Sequence, residues 1–319
     1  MVEMPHRPGR GSEEETMRHV TRRDFLKTSA GSAGLLAASP ALLSALEAGG
    51  RTSFAGNDVV TLGRTGIRVS RLAQGTGFNG TAHSSAQTRQ GQAAFERLVR
   101  HSIDEGITFM DMADLYGSHP FMRKTLRAVP RNRVVFLSKI WPRKADWVTP
   151  SGGAKSEVTR FLKELDTDRL DVCLIHCMLD DRWPTEYERI RDELSDLKES
   201  GTVGAVGVSC HDFGALKVAA AHPWVDVIFS RINYRGGPEY SCDASVDELA
   251  AVLKTARGNG KAVVGMKIFG AGKLVAPEEK DASLKYVLGN GLVDAMTIGM
   301  MNPGEVDDTL ERMARVRVS

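Results

Sequence analysis

Residues 157–177 read EVTRFLKELDTDRLDVCLIHC. The first half sets apolar residues at Val158, Phe161, Leu162 and Leu165, the three- and four-residue spacing that turns one stripe of a helix toward a core. The second half, Asp171–Cys177, is a short and nearly unbroken apolar run, as expected of a strand covered on both faces in a parallel sheet. A helix feeding a buried strand is the repeating unit of an α/β protein. The number of repeats then decides between an open sheet and a closed barrel.

Working outward, the same alternation recurs along the chain. Strand-like runs stand at Arg71–Gly77, Thr108–Met112, Val134–Ile140, Val203–Cys210, Val225–Tyr234, Ala262–Phe269 and Ala295–Met301, which with Asp171–Cys177 makes eight. Between them lie further helical stripes, for example Phe95, Leu98, Val99 and Ile103, then Leu249, Val252 and Leu253, then Val306, Leu310 and Met313. Gly106, Gly201 and Gly260 follow helical runs, where a left-handed cap favours glycine. Pro120, Pro223 and Pro303 sit at element boundaries, which suits a residue with no amide donor. Eight strand–helix repeats in this length predict an α/β fold of the (β/α)8 TIM-barrel class. The competing open, doubly wound sheet would place a glycine-rich phosphate loop after its first strand. Residues 75–80, GTGFNG, match the letters of G-x-G-x-x-G, but the polar stretch Thr81–Gly91 follows them where that motif would open a helix. Val59–Leu72, centred on Gly63 and Gly66, reads as an N-terminal β-hairpin ahead of the barrel. No linker divides residues 56–319, which are expected to form one domain.

Residues 1–55 read differently. Arg22-Arg23 precede Phe25-Leu26-Lys27, and a stretch rich in Ala, Gly, Ser and Leu follows to Leu46. A positive flank, an apolar segment and small residues make up an export signal, and the paired arginines resemble the twin-arginine (Tat) form. Cleavage is expected after Ala48 or Ala55, giving an exported, periplasmic or extracellular protein. No cysteine precedes Cys173, so no lipid anchor is expected near the cleavage site and no membrane anchor after it. Charge is close to balanced, with 42 Lys and Arg against 40 Asp and Glu, which gives no reason to expect a nucleic-acid partner. Cys173, Cys177, Cys210 and Cys242 make no CxxC pair or zinc spacing, and no metal site is expected.

Barrel strands aim their C-terminal ends at the active site. Polar residues there are Asp111, with Tyr116 in the loop after it, then Lys139 and His176, on three consecutive strands. Asp111-Met112-Ala113-Asp114-Leu115-Tyr116-Gly117-Ser118, Ser138-Lys139-Ile140-Trp141, Leu165–Asp171 and Ile175-His176 resemble, in order, motifs of the aldo-keto reductases. Leu62–Leu72 is similar to that family's opening hairpin, and the resemblance spans about Val60 to Met313. It implies an NAD(P)-dependent oxidoreductase moving a hydride between nicotinamide and a carbonyl or alcohol, with Asp111, Tyr116, Lys139 and His176 as catalytic tetrad. Tyr116 would serve as general acid, its pKa lowered from about 10 by the Lys139 ammonium. Asp111 would orient Lys139, and His176 would steer the substrate oxygen. Asp114 is expected to be a solvated or loop-capping acid, and Trp141 a wall of the substrate pocket.

The resemblance also assigns cofactor contacts to Thr76, Asp111, Ser209, Arg231, Met266, Lys267, Phe269, Gly299 and Met301. Departures from the family pattern accompany them. Cys210 and His211 follow Ser209 where an asparagine is usual. Arg231 replaces a glutamine and would reach either the nicotinamide amide or an anionic substrate. Met266 stands where an aromatic usually stacks. The basic residue that often grips the 2′-phosphate is missing. NADP remains the expected cofactor, with NAD the alternative. The chain ends soon after the last helical run, which predicts an open pocket for an aldehyde, ketone or sugar. Export away from the cytoplasmic cofactor pool implies a tightly held nicotinamide, recycled by paired substrates or an electron-carrier partner. The rival readings are a nicotinamide-binding regulatory module with little turnover and a metal-dependent barrel hydrolase.

Overall fold

A computed structural model describes residues 54–143 and 152–317. The Tat-like segment and Ala48 lie outside the described residues, and all described residues belong to one unit, Arg51–Ser319. Two short strands come first, β1 (Val59–Thr61) and β2 (Arg68–Ser70), paired antiparallel as the expected hairpin. Eight strands then close a barrel: β3 (Leu72–Gly75), β4 (Phe109–Asp111), β5 (Val135–Ile140), β6 (Leu170–Met178), β7 (Val203–Cys210), β8 (Val227–Arg231), β9 (Ala262–Met266) and β10 (Ala295–Ile298). Every neighbouring pair around the ring is parallel, and β10 returns to β3.

Helices connect the strands on the outside. Among the described residues they are α1 (Ala86–Arg89), α2 (Gln92–Asp104), α3 (His119–Thr125), α4 (Ala154–Leu165), α5 (Trp183–Glu186), α6 (Glu188–Glu199), α7 (Phe213–Ala221), α8 (Val246–Gly258), α9 (Pro277–Gly289) and α10 (Pro303–Arg315). The stripes read from sequence are the ones buried: Phe95, Leu98, Val99 and Ile103 on α2, and Val158, Phe161 and Leu165 on α4. The three expected cap glycines all take positive φ, at 84°, 77° and 79° for Gly106, Gly201 and Gly260. All four cysteines are free thiols. No helix among the described residues is long and apolar enough to cross a membrane.

Two cores result. One lies between strands and helices; the other fills the barrel with Phe109, Leu137, Leu174, Phe229, Val264 and their neighbours. Leu62 and Val69 of the hairpin join the inner core, so the hairpin closes the end of the barrel where β9 begins. At Gly63 (φ 48°) a Cβ would stand 2.4 Å from the Ala262 amide nitrogen, so only glycine permits this approach. With that end plugged, the opposite mouth is left for chemistry.

The strands are shorter than three of the apolar runs suggest. β8 stops at Arg231, β9 at Met266 and β10 at Ile298, although the runs reach Tyr234, Phe269 and Met301. Lys267 adopts φ 59°, a left-handed residue that ends β9. Beyond it Ile268 and Met300 are buried by loops rather than by pairing. Hydropathy registers burial alone, so it cannot separate the two.

Candidate active site

Asp111 is the last residue of β4 and is buried. Its Oδ1 accepts from the Lys139 ammonium and its Oδ2 from the Thr297 hydroxyl of β10 at 2.8 Å. Lys139, on β5 and 1% exposed, also donates to the Met112 carbonyl at 2.9 Å. Its Nζ lies 4.9 Å from the centroid of the Tyr116 ring and 5.0 Å from that of Phe229. Burial pulls the Lys139 pKa down, and Asp111 opposes the shift.

Tyr116 closes a 3-10 turn, Asp114–Tyr116, capped by Gly117 at φ 61°. A Cβ on Gly77 would meet the Tyr116 ring at 2.3 Å, so the loop after β3 leaves room for the phenol only because glycine stands there. The Tyr116 hydroxyl is 3.5 Å from His176 Nε2, with the rings edge to face at 5.6 Å. His176 sits at an irregularity in the β6–β7 register between Ile175 and Met178, next to Cys177 at φ 67°. A bulge of this kind re-aims a side chain beside a site. Trp141, just past β5, packs edge to face on the His176 ring at 5.6 Å.

Electrostatics here follow burial first. The Tyr116 phenol is pushed well above 10.0 by desolvation, then by Asp111, then by Cys177. The expected lowering by Lys139 is not what the site produces. Desolvation, with Asp111 added to it, outweighs whatever the Lys139 ammonium contributes toward a phenolate. His176 is held well below 6.5 by burial, then Lys139 and His211, and is a neutral imidazole. Its Nδ1 is buried without a partner among the described residues.

The remaining expected residues separate into two groups. Asp111, Tyr116, Lys139, His176, Ser209, Met266, Lys267, Phe269, Gly299 and Met301 all line one groove with a cavity of about 380 Å³. Thr76, Arg231 and Trp141 do not line it; Trp141, expected as a pocket wall, packs instead against His176. Thr76 is buried, with both its amide and its hydroxyl on the Asp111 carbonyl at 3.0 and 2.8 Å, so it positions the strand end. Arg231 is committed to an ion pair with Asp243 and donates to the His211 carbonyl at 2.8 Å. Ser209 spends its hydroxyl on the Cys177 amide at 2.8 Å, bracing the bulge beneath His176.

Asp114 is a correction. It is 3% exposed and pairs with Arg160 of α4 at 2.5 Å, rather than facing solvent. Sequence reading had no sign of Arg160, because it stands among surface charges on a helix and its partner comes from 46 residues away. His211 lines the groove, 6.4 Å from the His176 ring, and burial followed by Arg231 and Lys267 depresses it to about 3.

The groove runs from the tetrad past Lys267 to Lys280, Glu305 and Asp308 at the start of α10. Lys267 is drawn down first by burial and then by Arg231, and it makes no ion pair with any described residue. A half-buried ammonium facing a groove, with no counter-ion among the described residues, suits a diphosphate, and Gly299 keeps that wall low: a Cβ there would press on Phe78 at 3.0 Å. These features fit an extended dinucleotide whose reactive end reaches the tetrad. Among the described residues, the one cluster of three groups with metal-ligand spacing is His101, Glu105 and Asp307, none of which lines the groove.

Comparison with known proteins adds an independent line. A family model described as "Aldo/keto reductase family" matches residues 72–315. The chain is 29% identical to a probable aldo-keto reductase 1 of Glycine max over 156 residues, covering 47% of this chain and 44% of that protein. It is 26% identical to the aldo-keto reductase YhdN of Bacillus subtilis over 167 residues, covering 48% and 46%. It therefore spans a little under half the length of these relatives. Among solved structures, aldo-keto reductase AKR11C1 of Bacillus halodurans, solved in its holo form, superposes with a TM-score of 0.65 at 17% identity, covering 82% of this chain and 92% of that one. PA4992 of Pseudomonas aeruginosa gives 0.66 at 22%, covering 82% and 96%.

Proposed function

This chain belongs to the aldo/keto reductase family, and from that premise we propose that it is a nicotinamide-dependent oxidoreductase acting on a small-molecule carbonyl or alcohol. The observation that carries the reading is the convergence of Tyr116, His176, Lys139 and Asp111 at one barrel mouth, with the tyrosine hydroxyl 3.5 Å from His176 Nε2. A bound nicotinamide would supply or accept the hydride, and Lys267 with the groove walls would hold its diphosphate. The chain's own residues manage the oxygen of the substrate.

In the reducing direction the Tyr116 phenol gives its proton to the carbonyl oxygen as negative charge develops there. Burial keeps that proton in place across the ordinary pH range, so the acid form is always ready. A neutral His176 protonated on Nε2 aims its one donor at the same oxygen and fixes the approach angle. The Lys139 ammonium stabilises the phenolate left behind, and Asp111 with Thr297 holds that ammonium under the ring. Tyr116→Phe keeps the shape and removes the acid. Turnover of aldehydes, ketones or keto sugars should fall by more than about a hundredfold with the fold intact. An unchanged rate would remove Tyr116 from this role. Absence of steady turnover in the unaltered protein would favour a nicotinamide-binding regulatory module instead.

Export is the second element of the proposal, supported by Arg22-Arg23 and the small-residue run after them. Outside the cytoplasm the nicotinamide would be retained and recycled, by paired substrates or by an electron-carrier partner. Replacing both arginines by lysine should retain the protein in the cytoplasm. Unaltered appearance in the periplasm, read by cell fractionation, would argue against the Tat route.

A further inference from the structure

The far end of the groove, away from the tetrad, is where the adenosine ribose of an extended dinucleotide would lie. The charged residues lining it are Glu305, Asp308 and Lys280. Two of the three are carboxylates. Asp308 is held ionised, below the usual carboxylate range, first by its hydrogen bond from Arg312 and also by Lys280, whose Nζ donates to it at 3.3 Å. Arg312 is itself shared between Asp308, Asp281 and the Pro277 carbonyl. Both nearby cations are thus already matched.

The backbone tells the same story. A helix start offers free amides to a phosphate, but here the Met301 and Glu305 amides are already taken. Glu305 accepts the Met301 amide at 2.9 Å and the Asn302 side-chain amide at 3.1 Å, while the Glu305 amide donates to Asn302 Oδ1 at 3.1 Å. Pro303 has no amide to give. The protein's own carboxylate therefore occupies the anion position at the start of α10. A carboxylate in that place retains free lone pairs, which suit a ribose hydroxyl donor. A 2′-phosphate would bring a further charge of about −1.5 to −2 against it.

We propose that this protein is specific for NAD over NADP, and that Glu305, with Asp308 beside it, sets the choice by accepting from the ribose hydroxyls and repelling a 2′-phosphate. The same chemistry lets an acidic residue select NAD in other dinucleotide folds. The proposal rests on the nicotinamide reading above and departs from the NADP expected from resemblance.

The test is a binding titration of the full chain with NADH and with NADPH, read by tryptophan fluorescence or calorimetry without any substrate. NADH should bind at least tenfold more tightly than NADPH. Glu305→Arg should close or invert that ratio, and Glu305→Gln, which removes charge while keeping shape, should move it part of the way. Equal or tighter binding of NADPH by the unaltered protein overturns the proposal and leaves the nicotinamide reading standing. A preference for NADH that neither variant shifts overturns the role of Glu305. Binding of neither dinucleotide overturns the nicotinamide reading, and this proposal with it.

Discussion

At the scale of single residues, position along a motif says less than what each side chain meets. Asp111 and Asp114 are three residues apart and both buried, yet one holds the Lys139 ammonium and the other an arginine on a neighbouring helix. Tyr116 is defined as much by Gly77 as by its own neighbours in sequence. A methyl group there would stand 2.3 Å from the ring, so the phenol must move or the loop after β3 must open. Gly77→Ala should therefore cost at least about tenfold in kcat, since a displacement near 1 Å can cost a hundredfold. The melting temperature should change little, because the added methyl sits at the mouth and not in either core. A variant with unaltered kcat would show that the ring tolerates the shift. The motif residues were legible in sequence. Gly77 was visible too, but only contact distances give it a role.

At the scale of elements, the turn bearing Tyr116 is fixed by a helix that does not adjoin it in sequence. Arg160 of α4 donates to Asp114 and Glu157 at 2.5 Å each and to Glu164 at 2.7 Å, and the Asp114 and Glu157 side chains are each 1% exposed. Burial works against its charge, and Glu157, Asp114 and Glu164 more than offset this, so its pKa stands above the ordinary value. Replacing Arg160 by leucine leaves Asp114 and Glu157 buried without their guanidinium. Stability should fall by about 3–5 kcal/mol, the scale for breaking a buried pair from one side. Adding Asp114→Asn to that variant should recover part of the loss in a urea titration, and no recovery would mean that the pair does not couple. The helix stripe on α4 could be read from periodicity. The ion cluster could not, because its members are brought together only when α4 packs beside α3 and β5.

At the scale of the whole molecule, burial of neutral imidazoles beside several cations makes folding depend on acidity. His176 is held well below 6.5 and His211 at about 3, whereas an unfolded chain protonates both near the ordinary value. Their contribution to stability is complete above about pH 6.5. It is lost as pH falls, because the unfolded state takes up protons that the folded state refuses. Each histidine should steepen the fall by at most about 1.4 kcal/mol per pH unit. Urea midpoints between pH 6.5 and 4.5 should therefore decline faster for the unaltered protein than for His211→Gln. Equal slopes would place His211 in an environment where it protonates freely.

By itself the sequence determined the eight-fold alternation, the hairpin ahead of it and the four residues at successive strand ends. Each of these is a local property: period, cap glycine, or place at the end of an apolar run. Tertiary structure decided what those residues are able to do. It buried the Tyr116 phenol beside Asp111 and so raised the pKa that the motif predicted to fall. It turned Thr76 and Arg231 away from the groove and brought His211 and Glu305 to its lining. Desolvation and charge pairing depend on which groups meet across the barrel mouth, and only closure of the sheet, with β10 returning to β3, sets those meetings.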